Sequence, residues 1–100
     1  MKFNTSAEEV LGKIRAFSSN PGAKCFLEGE LIKVLDAKIE DSSKLNKKIG
    51  CITDENLLIS CKYGFIRLIK VQRAGRKAMM AREFLNGMKV KIGSIINEKK

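Results

Sequence analysis

One hundred residues, 44% hydrophobic and with a single proline, suffice for one domain with a modest core and argue against disorder. The net charge is +9, with no histidine and three widely spaced cysteines, Cys25, Cys51 and Cys61. A zinc site would lack paired Cys or His ligands and a cysteine nucleophile would lack a base, so catalysis by this chain alone is not expected.

The charge is unevenly placed. Lys62 to Lys91 holds nine Lys or Arg against Glu83 alone, whereas residues 1–61 are balanced. Like charges crowded together oppose folding, so such a stretch makes sense as a surface that meets a polyanion. Apolar runs such as Leu57-Leu58-Ile59 fall far short of a membrane span, and no basic amphipathic helix suggests a membrane surface. Met1-Lys2-Phe3-Asn4 lacks the apolar stretch of a signal peptide, so the chain is expected in the cytoplasm. The cysteines, flanked by apolar residues, read as reduced thiols in or near a core.

In chain order, Asn4 to Glu9 predicts a helix start, with capping-box spacing in Thr5/Glu8 or Ser6/Glu9. Ala7, Val10, Leu11, Ile14 and Phe17 then recur at helical spacing as one buried stripe, and Asn20 before Pro21 ends the helix. From Ala23 the texture becomes β-like. Lys24–Leu27 and Leu31–Ile39 flank Glu28-Gly29-Glu30, a hairpin turn. Ile32 and Val34 share one phase, and Leu35, Ala37 and Ile39 the other. Ile66 and Leu68, then Ile69 and Val71, repeat this one-residue slip. A bulge or sharp coil explains both, as strands of a small barrel require. A slip at Leu68-Ile69 would turn both Arg67 and Lys70 outward.

Asp41–Lys48 reads as a polar loop and Gly50–Thr53 with Leu57–Cys61 as a second hairpin. Gln72–Met79 reads as a long basic loop. Met80–Asn86 is a short helix with Gly87 at its C′ position, and Gly93–Ile96 is a last short strand. No repeat, linker or second domain interrupts residues 1–100, which read as a single domain.

Several segments in this order resemble the C-terminal domain of methionyl-tRNA formyltransferases. They are Ile14-Arg15-Ala16-Phe17 with Pro21-Gly22-Ala23, and Gly29-Glu30-Leu31-Ile32-Lys33-Val34. Leu68 to Gln72 with Gly75-Arg76-Lys77-Ala78-Met79, and Phe84-Leu85-Asn86-Gly87 with Gly93, complete the set. Each pattern is weak singly; together, over about residues 7–96, they are specific. Ser19, Asn20 and Tyr63 depart from the residues frequent in that family at those places (Pro, Trp and Asp). The resemblance implies a mainly β fold, a small open OB-like Greek-key barrel with an N-terminal helix and a short second helix near the C-terminus. It also implies a role in holding initiator Met-tRNA, beside an N-terminal catalytic domain that binds 10-formyltetrahydrofolate and carries Asn, His and Asp. No cofactor is expected on this chain itself. Met1 does not distinguish a fragment from a free-standing domain.

On this reading Arg73, Arg76 and Lys77 are the foremost candidates for phosphate contact, because three cations in five residues flank a glycine that permits close backbone approach. Arg67, Lys70, Lys89 and Lys91 are candidates for the same patch. Lys44, Lys47 and Lys48, with Glu40 and Asp41 nearby, read as a solvated cluster. Arg15 fits a salt bridge or helix-end role as well as an RNA contact. Among six aromatics only Tyr63 looks free to stack. A structural module of another formyl-transferring enzyme, acting on a folate or sugar nucleotide without RNA, is the alternative. A monomer is the default expectation.

Overall fold

Ser6 caps the first helix. Its Oγ accepts the backbone N–H of Glu9 at 3.2 Å, which selects the second of the two capping-box options. Helix α1 runs Ala7–Phe17 and buries Ala7, Val10, Leu11 and Ile14, the expected stripe. Phe17 has its backbone in the helix and its side chain outside the described part. The computed structural model of the chain describes residues 3–17, 23–27, 29–87 and 90–96; the expected stop at Asn20-Pro21 lies outside them.

Strands β1 (Ala23–Leu27) and β2 (Glu30–Leu45) form the first hairpin, with Leu27 opposite Glu30 and Gly29 at φ 79° between them. Strands β3 (Leu58–Ser60), β4 (Tyr63–Arg73) and β5 (Ala78–Met80) complete an antiparallel sheet in the order β1-β2-β4-β3, with β5 also paired to β4. A short helix, α2, covers Ala81–Gly87. The fold is therefore mainly β, an open antiparallel sheet with one helix at each end of the chain, as expected.

The two slips in the hydrophobic pattern are bulges in one ladder. Val34 pairs with Val71, Asp36 with Lys70 and Ala37 with Leu68, so Leu35 on β2 and Ile69 on β4 are passed over. Ile32, Val34 and Ala37 thus meet Ile66, Leu68 and Val71 on one buried face, which packs on Val10 and Ile14 of α1. Leu27, Ile59 and Phe84 extend this core from β1, β3 and α2. Arg67 and Lys70 lie on the opposite face.

The structure corrects four expectations. Asp41–Leu45 is strand rather than loop. Its side chains are all exposed, and its backbone is held by β4, with Asp41 opposite Phe65 and Leu45 opposite Tyr63. Gln72–Met79 is not a long loop: β4 continues to Arg73, and β5 returns along it with Ala78 opposite Gln72. Gly87 ends α2 inside the helix rather than as a left-handed cap, since its φ is not positive. The expected last strand is a single bridge from Ile95 to Cys51, flanked by Ile52 N–H to Ser94 O (2.8 Å) and Ile96 N–H to Gly50 O (2.7 Å). Beyond Val34, β2 has β4 on one side and no described strand on the other. All three cysteines are buried free thiols, and burial pushes the Cys25 thiol up to about 12 and that of Cys61 to about 11.

Two local features hold the β2–β4 ribbon. At Gly64, φ is 87° and a Cβ would come within 2.7 Å of the Cα of Ser42, as well as against the Asp41 carbonyl. Arg67 donates to Glu40 on β2 (2.7 Å) and to Asp54 in the turn before β3 (3.0 Å), so one guanidinium ties three segments. Asp54 also accepts the backbone N–H groups of Asn56 (2.8 Å) and Leu58 (3.2 Å). Hydrogen bonding to Arg67 draws the Glu40 carboxyl below its ordinary value. At Asp54 burial pushes upward, and the bonds from Arg67 and Asn56 outweigh it, leaving a net lowering.

Gly64→Ala is expected to destabilise by about 3 kcal/mol, because strain and a backbone collision combine. Gly12→Ala, on the exposed side of α1 with open space around it, is expected to stabilise by about 0.5–1 kcal/mol; urea unfolding of both variants reads the opposite signs. Because Glu40 and Asp54 have depressed values in the folded state, their contribution is present above about pH 4 and lost as pH falls through the folded values. Arg67→Leu should therefore lower stability at neutral pH and flatten its decline on acidification, measured by unfolding midpoints between neutral and acidic pH.

Candidate nucleic-acid interface

The sheet face turned away from α1 and the core carries a cluster of cations. Strand alternation and the Ile69 bulge bring Lys70 and Gln72 of β4 to this face. The register adds residues from neighbouring strands: Lys33 lies opposite Gln72 and Lys24 opposite Lys33, while Ala78 of β5 lies on the other side of Gln72. Further along, Lys38 lies opposite Arg67. Like charges directly across a ladder, as at Lys24 and Lys33, disfavour the pairing.

The turn from β4 to β5 closes with Arg76 N–H on Arg73 O (3.0 Å), and Gln72 Nε2 donates to Arg76 O at 2.8 Å. Gly75, at φ 74°, supplies the positive φ that a type II turn requires at its third residue. The turn projects Arg76 and Lys77, both exposed, beside the face that holds Lys70.

The seven cations singled out from the sequence separate into three groups. Arg67 is bonded to Glu40 and Asp54, and Arg73 is bonded through two nitrogens to Glu30, at 2.6 and 3.1 Å. These hydrogen bonds raise both guanidinium values, so the two arginines stay charged but face carboxylates of their own chain. Lys70, Arg76, Lys77 and Lys91 are exposed and have no ion pair among the described residues. Lys89 lies outside the described residues.

Sequence reading missed Lys24, Lys33, Lys38 and Arg82. For the three lysines the signal was diluted, because residues 1–61 are neutral in sum, and only the register brings Lys33 beside Gln72 and Lys38 beside Arg67; Arg82 belongs to the Lys62–Lys91 stretch, where nothing in the sequence marks it apart from its neighbours. Two depressions bear on this surface. One, of about 610 Å³, lies between α2 and β4 and is lined by Lys38, Arg67, Ile69, Met80, Arg82 and Leu85 among others. The other, of about 200 Å³, is lined by Lys24, Leu31, Lys33, Gln72, Arg73 and Gly75 with Ala74. Cations around shallow apolar floors can bind phosphates and sugar edges. Among the described residues no group of three His, Cys, Asp or Glu could hold a metal, and no helix is long and apolar enough to cross a membrane.

Comparison with known proteins supports the resemblance seen in the motifs. The family described as "Formyl transferase, C-terminal domain" matches residues 1–89. The methionyl-tRNA formyltransferase of Campylobacter hominis is 37% identical over 97 residues, covering 97% of this chain and 32% of that protein. Its counterpart from Sphingopyxis alaskensis is 38% identical, covering 94% of this chain and 31% of that protein. The chain thus spans about a third of the length of the curated relatives it matches. Among solved structures, HypX from Aquifex aeolicus, crystallised in complex with tetrahydrofolic acid, matches with a TM-score of 0.63 over 94% of this chain and 20% of that one. At 17% identity this likeness concerns the fold alone. Motif order, fold and relatives agree: the chain belongs to the formyl transferase C-terminal domain family.

Proposed function

We propose that this chain is the tRNA-holding domain of a methionyl-tRNA formyltransferase, contacting the sugar-phosphate backbone of initiator Met-tRNA in the cytoplasm. The observation that carries this reading is the grouping of Lys70, Arg76 and Lys77. They are exposed and free of ion pairs among the described residues, with Lys70 on the outer sheet face and Arg76 and Lys77 in the turn next to Gln72, which pairs with Lys33. Arg67 and Arg73 act one step behind: their carboxylate partners tie the middle and the end of β4 to neighbouring segments, which holds the strand that presents Lys70. Phosphate contacts of this kind fix position and orientation and carry little sequence information.

In this reading an N-terminal catalytic domain supplies the chemistry, with 10-formyltetrahydrofolate as formyl donor to the methionyl amine. The present chain has no histidine and does not carry the Asn-His-Asp set that such chemistry uses in the family. Its own residues hold the tRNA and screen its phosphates; no proton or group transfer is assigned to them. It works as a monomer in this scheme.

The test is tRNA binding by the chain across a salt series. Lys70→Glu, Arg76→Glu and Lys77→Glu combined should weaken binding at low salt and reduce the log–log salt slope by about 2–3. Arg67→Gln with Arg73→Gln should lower stability and leave that slope within about one unit of the parent. If the parent fails to bind tRNA at low salt, the RNA reading fails and a structural module of another formyl-transferring enzyme takes its place. Equal flattening by the arginine pair would reject the division of roles.

A further inference from the structure

The opposite end of β4 holds a second cationic surface, built around side chains that the first one does not use. Leu45 and Tyr63 face each other across the ladder and remain 62% and 42% exposed. The Lys62 Nζ lies 5.8 Å from the centre of the Tyr63 ring, and Lys44 Nζ lies 5.6 Å from that of Phe65. Lys47 and Lys48, both exposed, follow in the adjoining loop. None of these four lysines has an ion pair among the described residues. The nearby carboxylate of Asp41 is engaged by the backbone N–H of Ser43 at 2.8 Å and its hydroxyl at 3.1 Å.

The loop that carries Lys47 and Lys48 is held firmly. The Asn46 side-chain amide donates to the carbonyls of Cys61 and Gly64, both at 2.9 Å, and Asn46 N–H donates to Lys62 O at 3.0 Å. The buried Ser60 hydroxyl donates to Lys48 O at 2.7 Å. Gly64, where only a glycine lets the strands approach, fixes the backbone directly after Tyr63. An exposed aromatic on a fixed backbone, beside an exposed Leu and amid lysines, has the composition of a stacking platform.

We propose that Tyr63 and Leu45, flanked by Lys44, Lys47, Lys48 and Lys62, form a second RNA contact that stacks an unpaired nucleotide. The ring and the Leu45 side chain form an apolar shelf for one base, and the lysines take the phosphates on either side of it. A paired base has its faces covered by its neighbours, so the shelf selects a splayed or single-stranded nucleotide. One aromatic gives stacking without sequence readout. This shelf lies roughly 30 Å along β4 from the Arg73–Lys77 turn, so the two contacts are separate and one RNA can engage both. The inference rests on RNA being the ligand class, and it goes beyond the first reading by adding a site with a different preference.

Tyr63 is the chain's only tyrosine and the chain has no tryptophan, so intrinsic fluorescence reports on this position alone. The full chain is titrated with a short single-stranded oligoribonucleotide of mixed sequence and with a blunt duplex of equal length. The single strand should quench the emission and the duplex should leave it unchanged. With a labelled single strand, Tyr63→Phe should bind like the parent, and Tyr63→Ala should bind about tenfold more weakly. The combined Lys70→Glu, Arg76→Glu and Lys77→Glu variant should keep the quenching. If tRNA binds while Tyr63 stays silent to the single strand, or Tyr63→Ala binds like the parent, this inference fails and the first reading stands. If neither tRNA nor the single strand binds, both fail. A response to anionic vesicles in place of RNA would overturn the assignment to nucleic acid.

Discussion

The structure depends on one constraint: β2 and β4 must stay paired while their buried side chains change phase. A regular ladder would carry Val34 and Val71 inward and then turn Ala37 and Leu68 out to solvent. Passing over Leu35 on one strand and Ile69 on the other resolves this within a few residues. The inner face then remains apolar along the whole ribbon, and the sheet gains the coil that lets it wrap α1. The outer face inherits the same correction. The Ile69 bulge presents Lys70 outward, opposite Asp36, and brings Gln72 into line with Lys33.

Electrostatics follow from that geometry. A stretch carrying nine cations must be tolerated by a domain of modest size, and the structure divides them. Two arginines of β4 are joined to carboxylates on other segments: Arg67, in mid-strand, to Glu40 and Asp54, and Arg73, at the strand end, to Glu30. The planar guanidinium suits this, since it engages two acceptors at fixed angles. Lys70, Arg76, Lys77 and Lys91 have no ion pair among the described residues. Repulsion around Arg67 and Arg73 is thus offset by carboxylates from other segments.

Much of this was legible in the sequence, for identifiable reasons. Helix α1 shows a continuous stripe at helical spacing, and the two one-residue slips in apolar phase are direct signatures of the bulges. The outer end of β2 was misread because periodicity detects a buried face, and Asp41–Leu45 has none; only pairing to β4 makes it strand. Strand β5 was missed because three residues, Ala78-Met79-Met80, are too few to show alternation. The cationic stretch announced itself by charge count. Its division could not be read, since Glu30 and Glu40 lie 43 and 27 residues from the arginines they bind. Lys33 was hidden for a related reason: a sum over residues 1–61 is neutral, and the charge becomes local only through register.

Beyond Val34, β2 presents an edge with no described strand beside it. A bare strand edge is a template for pairing with another chain, and a long one threatens aggregation. Here the run from Asp36 to Lys44 alternates acids and lysines, with Asp36, Lys38, Glu40, Asp41 and Lys44 all exposed. Docking a foreign strand would strip water from these charges and set several of them against unmatched neighbours. These polar residues, of which Asp41 to Lys44 also disguise the outer end of the strand as a loop, act as gatekeepers against strand-to-strand polymerisation, which leaves the sheet open at its edge without making it adhesive.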